Sequence, residues 1–184
     1  MSSFLMDGAQ VRLRDWQPDN LPVYREWLRP YQQWHLWDGP YFPPPPPPPS
    51  DAEADAAVER LEHHITTDDW PDTRTRVVIA DSVTDQRIGI TVFDVGTRGC
   101  GVGTEALGLW AGYLFGGTDI RRLDYSTWSG NTAMCRVGQK LGWKEEARFR
   151  DARVVRGEVF DSVVYGITRD EWHRARTMTV GQEL

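Results

Sequence analysis

Cysteine is nearly missing from this chain: Cys100 and Cys135 are the two thiols among 184 residues. Two such residues make no disulfide framework, and they fit the reducing setting of a cytoplasmic protein. Histidine is also sparse, and its four scattered copies show no metal-ligand spacing, so no metal site is expected. There is no Lys/Arg cluster, and the net charge of −6 argues against a nucleic-acid partner held through its phosphates. No apolar run approaches the length of a membrane span. The first residues, Met1 to Asp7, lack the basic region and apolar stretch of a signal peptide. These absences leave a soluble protein without nucleic acid, membrane or metal as the expectation.

What is present is ordinary in bulk, with 40% apolar and 26% charged residues, and long enough for one domain, 1–184, with a full core. Tryptophan is the excess. Trp16, Trp27, Trp34 and Trp37 fall in the first forty residues, which predicts an aromatic-lined wall there as well as core. Val11 to Trp16 alternates and reads as a strand, and Pro18-Asp19-Asn20 opens a helical stretch through Leu28. Trp34 to Phe42 reads as an aromatic loop. The run Pro43 to Pro49 would extend about 20 Å as a polyproline II spacer; docking to an aromatic groove is the alternative. Ser50 and Asp51 cap a helix to about Ile65 with Ala57, Val58, Leu61 and Ile65 on one stripe. Strands follow at Thr75 to Val83 and Arg87 to Asp94, then a helix at Glu105 to Phe115 and a strand at Arg121 to Trp128. Ser129-Gly130-Asn131 turns into a short helix ending at Lys140-Leu141-Gly142, where glycine suits the position after the last turn. Lys144 to Val154 and Glu158 to Ile167 form a hairpin about Arg156-Gly157. Strands and helices alternate and the chain closes on an antiparallel pair, the order of a mixed α/β sheet in one layered domain.

The most informative stretch is Arg98-Gly99-Cys100-Gly101-Val102-Gly103-Thr104, between an apolar run and a helical one. Three glycines in five positions let the backbone approach a ligand, and the following helix aims N–H groups and its positive dipole end at the loop. That arrangement suits a diphosphate; a glycine-rich turn without a ligand is the plain alternative. The spacing is not that of a dinucleotide fold, and a Gly-Lys-Ser/Thr phosphate loop is absent.

Arg98-Gly99-Cys100-Gly101-Val102-Gly103 resembles the Arg/Gln-x-x-Gly-x-Gly/Ala signature of the GNAT superfamily of acetyl-CoA-dependent N-acetyltransferases. Gly103 to Leu107, the turn Ser129-Gly130-Asn131, Lys140-Leu141-Gly142-Trp143, Asp161 to Ile167 and Glu171-Trp172 are similar to its RimJ/RimL branch. The resemblance spans Val11 to Trp172. It implies an α/β (α+β) fold with a mixed, mostly antiparallel central sheet and helices on both faces. It implies acetyl-CoA as co-substrate and no metal. The diphosphate would lie on Arg98, Gly99, Cys100, Gly101, Val102, Gly103 and Thr104. The strand end at Phe93 and Val95 would offer main-chain groups to the pantetheine arm, with Asn131 bonding the same arm and Lys140 near the adenosine. Asn131 as a helix cap and Lys140 as a solvated charge are the structural alternatives. The acceptor would be a primary amine, on a protein N-terminus or a small molecule; the oligomeric state stays open, with a homodimer one choice because dimers are common among relatives.

Two departures from the family stand out. Members often protonate the departing thiolate from a Ser three residues after the turn Asn, or from a Tyr two before the Lys; here those positions hold Met134 and Gly138. Cys135 is the adjacent candidate donor, with a buried small hydrophobe as its other reading. The fourteen residues between Val83 and Arg98 also leave room for one strand where the family has two, so the sheet is expected one strand short. These departures keep a second function open, a coenzyme-A-binding domain with little turnover that acts as a sensor or degenerate paralogue. An interaction module built on the proline run and the tryptophans is a third.

Overall fold

The computed structural model describes residues 4–29, 49–89 and 101–180. Four short strands make one sheet: β1 (Phe4–Asp7), β2 (Val11–Arg14), β3 (Val78–Asp81) and β4 (Arg87–Gly89), adjacent in that order and antiparallel. Three long strands make another, in the order β5 (Arg122–Trp128), β7 (Glu158–Thr168), β6 (Lys144–Val155), also antiparallel. Both sheets carry helices, giving the α/β architecture expected. β1 escaped the sequence reading because four residues do not establish a period. The strand expected over Thr75–Val83 contracts to β3, and the one expected over Arg87–Asp94 is described as far as Gly89. Its remainder, and with it the expected strand count before the glycine loop, lies outside the described residues, as do Trp34 to Phe42 and the prolines up to Pro48.

The alternation of β3 explains how the first sheet is covered on both faces. Val78 and Ala80 turn toward helices α1 (Leu21–Leu28) and α2 (Asp51–Thr67), where Trp16, Tyr24, Leu61 and Ile65 pack. Val77 and Ile79 turn the other way, with Val11 and Leu13, onto Val102 and Ala106 of helix α3 (Val102–Gly117). Each fully buried aliphatic side chain contributes about 1.5–3 kcal/mol. A strand packed on both faces is therefore costly to expose. α1 is preceded by a single 3-10 turn at Pro18–Asn20. α2 starts where Ser50 predicted: Ser50 Oγ accepts from Glu53 N, and Glu53 Oε2 accepts from Ser50 N at 2.8 Å, a reciprocal capping box.

α3 joins the two halves. Its first turns lie on the first sheet, and Ala111 and Phe115 lie with Val163, Tyr165, Ile167 and Trp143 on the second. Helices α4 (Thr132–Lys140) and α5 (Arg169–Val180) cover the same face. β6 and β7 meet at Arg156–Gly157, with φ of 55° and 83°, the paired left-handed residues of a tight hairpin turn.

α5 was not foreseen, although Thr168 and Glu171 have capping spacing. Glu171 Oε2 accepts from Thr168 N at 3.0 Å and from Thr168 Oγ1 at 2.8 Å, while Lys144 on β6 ion-pairs with Oε1 at 2.5 Å. The Lys144 ammonium, and then the Thr168 donors, hold the Glu171 carboxyl down at about 2, against an ordinary 4.5. A depressed carboxyl contributes stability that is fully present above its unfolded value and is lost as pH falls through the folded one. The thermal midpoint should therefore decline between about pH 4.5 and 2, and Glu171→Gln should flatten that part of the curve. An unchanged slope in the variant would remove this cap from the account.

Candidate functional site

Three turns gather at one end of the first sheet: the start of α3, the β1–β2 turn and the β3–β4 turn. Ser82 N donates to Gln10 O at 3.0 Å and Ser82 Oγ to Ala9 O at 2.9 Å. Glu105, in the first turn of α3, accepts from Ala9 N and, at 3.1 Å, from Gln10 N. Its charge is thus spent on neighbouring amides, while an acid so near a helix start also agrees with the dipole. This clamp passed unnoticed in the sequence, where Glu105 reads merely as part of a motif.

Gly101 caps α3 with φ 88° and ψ −17°, the left-handed region that glycine enters without strain. Its carbonyl accepts from Thr104 N at 2.9 Å and Glu105 N at 3.1 Å. The helix's first N–H groups, on Val102 and Gly103, stand at its open end as in any α-helix. A side chain at Gly101 would have Gln10 Nε2 at 3.7 Å, an ordinary contact, so no described residue crowds the cap itself. A left-handed glycine, an open helix start and an acid turned aside together fit a diphosphate. Phe93, Val95, Arg98, Gly99 and Cys100, expected to complete the cofactor site, lie outside the described residues.

β4 and β5 are each at one edge of their sheets among the described residues. At the end of β5 the turn Ser129-Gly130-Asn131 leads into α4. Asn131 Oδ1 accepts from Met134 N at 3.3 Å, so this side chain does cap the helix. Capping occupies the carbonyl oxygen and leaves the amide nitrogen of the same side chain to donate elsewhere. The cap and the ligand reading of Asn131 are therefore compatible. Lys140 ends α4 and is exposed, where a cation complements the helix dipole. The candidate residues fall into two groups, at the start of α3 and along α4.

The departure at Gly138 has a physical reason. Tyr125, on β5, donates from its hydroxyl to Met134 O at 2.9 Å and stacks on Tyr165 with centroids 5.6 Å apart. A Cβ at Gly138 would collide with that hydroxyl and lie 3.0 Å from Tyr165 Cδ1. The hydroxyl absent from position 138 is displaced by one reaching across from the sheet. Burial pushes the Tyr125 phenol up, as it does that of Tyr165. Gly138→Ala, which in an exposed helix gains about 0.5–1 kcal/mol, should here cost about 1–3 kcal/mol by overpacking. Denaturation should show most of that loss recovered in Gly138→Ala/Tyr125→Phe; no recovery would separate the two positions.

Cys135 packs against the core of the second sheet, with Sγ 4.0 Å from Trp128 O and beside the Tyr165 hydroxyl. Burial pushes this thiol up, so it stays protonated at neutral pH: suited to hold a proton, unsuited to act as a nucleophile. Tyr165 Oη in turn meets Gln139 Nε2 at 3.4 Å and Glu145 Oε2 at 3.3 Å, and Glu145 pairs with Arg148. This network ties α4 to β6 and β7, and no sequence motif announced it.

Among the described residues there is no group of side chains able to hold a metal ion, and no helix long and apolar enough to cross a membrane. A comparison with curated proteins finds no match. Among solved structures, the chain is similar to a GNAT-family acetyltransferase from Bacillus anthracis (15% identity, TM-score 0.63, 92% of this chain and 100% of that one). It is similar to RimL, the ribosomal L7/L12 alpha-N-protein acetyltransferase in complex with coenzyme A (14%, 0.63, 90% and 98%). A third likeness is to the ribosomal-protein-S5-alanine acetyltransferase from Vibrio fischeri (14%, 0.65, 94% and 98%). At these identities the likeness establishes the fold. The model of the acetyltransferase (GNAT) domain matches residues 10–144, well over half of the chain. The chain belongs to the GNAT acetyltransferase family.

Proposed function

We propose that this protein moves an acetyl group from acetyl-CoA to a primary amine by direct attack in a ternary complex. The observation that carries this reading is the start of α3, where Gly101 caps the helix in the left-handed region and, among the described residues, only Gln10 Nε2 comes within 4 Å of a Cβ added there, which fits a diphosphate at the helix start. Arg98 would add charge, Gly99 to Thr104 would supply amides, and Asn131 would hold the pantetheine arm through the nitrogen left by its capping bond. Phe93 and Val95 would offer main-chain groups, and Lys140 the adenosine-end cation. With the thioester held and the neutral amine brought within near-attack distance, orientation contributes about 7–11 kcal/mol of barrier lowering. The RimL-like and S5-alanine-acetyltransferase-like folds favour a protein N-terminus as acceptor, in the RimJ/RimL manner, acting in the cytoplasm, with small amines as the other class.

A second reading has its own support. The hydroxyl-bearing positions of α4 hold Met134 and Gly138, and Cys135 turns to the core, which suits a coenzyme-A-binding domain with little turnover. Incubation with acetyl-CoA and a peptide bearing a free α-amine should add one acetyl group to that amine by mass spectrometry. Acetyl-CoA binding with no acetylated amine across peptides and small amines would select the second reading.

A further inference from the structure

The other face of the first sheet holds a cavity of about 360 Å³, between α1, α2 and the segment leading into β3. Trp16 and Tyr24 form its aromatic wall, edge to face at 4.9 Å, and Trp70 stacks on His64 at 5.4 Å. Three guanidiniums line it, from Arg60, Arg74 and Arg76, and none of the described lining residues is acidic. That is a local reversal in a chain of net charge −6. Arg74 is already matched, in a two-pronged pair with Asp15 at 3.0 Å, and its guanidinium lies over Trp70 at 5.4 Å. Arg76 uses one N–H on Tyr24 Oη at 2.7 Å and has no carboxylate partner among the described residues. Arg60 likewise makes no ion pair among them. Two exposed guanidiniums with unused donors among the described residues, lining the same cavity as the aromatic walls, define a binding chemistry: flat rings for the walls, a negative group for the cations. The volume falls within the range of small-molecule pockets.

The position separates it from the cofactor end. β2 begins at Val11, beside the turn that Glu105 clamps, and the chain reaches the cavity wall at Trp16. Five residues of extended chain span roughly 17 Å. We propose that this cavity is a second small-molecule site, distinct from the start of α3, and that it takes an aromatic anion, a ring bearing a carboxylate or a phosphate ester. The proposal goes beyond the acetyl-transfer reading and does not depend on it.

Calorimetry on the full chain with four probes tests it: indoleacetate, phenyl phosphate, tryptamine and acetate. One or both aromatic anions should bind, and which one does distinguishes carboxylate from phosphate. Tryptamine, with the ring but a positive charge, and acetate, with the charge but no ring, should not. Arg60→Gln/Arg76→Gln should weaken binding at least about tenfold (~1.4 kcal/mol) with its thermal midpoint unchanged. If that pair of changes unfolds the chain, Arg60→Gln alone should still weaken the same probe. Saturating coenzyme A should leave the affinity as it was. Equal binding of tryptamine, no binding of either anion, full affinity in the variants or displacement by coenzyme A would each overturn the proposal.

Discussion

Gly101→Val should abolish measurable acetyl-CoA binding, or weaken it at least about tenfold, which corresponds to ~1.4 kcal/mol. Gly101 has φ 88°, a region that a β-branched residue enters at a cost of about 1–3 kcal/mol. The chain therefore relaxes by moving the residue that sets the direction of α3's first amides. The added side chain also stands in the space a diphosphate needs. The nearest atom to a new Cβ is Gln10 Nε2 at 3.7 Å, so packing against described residues is not what forbids the change. Gly101→Asn separates the two causes, because asparagine tolerates left-handed backbone. It should leave the thermal midpoint near that of the parent and still reduce affinity. If calorimetry finds Gly101→Val binding as tightly as the parent, the cofactor site has been put in the wrong place.

Turnover should be slow for an enzyme of this family and should rise with pH toward the pKa of the acceptor amine. A positioned general acid is typically worth roughly a hundredfold to ten-thousandfold. The α4 positions that would carry one hold Met134 and Gly138, and Tyr125 Oη, which fills the place beside Gly138, already donates to Met134 O. Under the proposed reaction the thiolate would leave unprotonated, or take its proton from water or from the ammonium that the attacking amine becomes. The rising pH dependence follows because the attacking species is the neutral amine, whose fraction grows until the pKa is passed. Met134→Ser restores a hydroxyl one turn beyond Asn131, and kcat should increase. Cys135→Ala should change kcat little, since Sγ faces Trp128 O and the core. A large loss there, with acetyl-CoA binding unchanged, would make the thiol the proton donor.

The parts of the fold that were legible in the sequence are those where local chemistry and tertiary packing agree. Ser50 before α2, Gly142 after α4 and Gly157 in the hairpin each sit where backbone geometry favours their type, and the elements they bound lie close to expectation. Lys144 to Val155 and Glu158 to Thr168 pair over nearly the anticipated lengths. β1 and α5 were not legible: one is too short to show alternation, and the other is held by Glu171 reaching Lys144, a contact 27 residues apart. Of the site, the glycine loop before α3 and the turn before α4 were legible as places, while the left-handed cap at Gly101, which starts the helix at Val102 and not at the expected Glu105, was not, and Asn131 proves to make the capping bond read as its alternative role. Gly138 was read as a missing donor, and the residue that displaces it, Tyr125, comes from another element 13 positions earlier. The cavity of Arg60 and Arg76 was illegible for the same reason, being assembled from α1, α2 and the approach to β3.

The most direct measurement is steady-state release of free thiol from acetyl-CoA, with and without a panel of primary amines and free peptide N-termini. The account predicts slow release above background that depends on the acceptor, rises with pH and disappears in Gly101→Val. Acetyl-CoA binding accompanied by no acceptor-dependent release, at any pH up to the pKa of the amines, would contradict it.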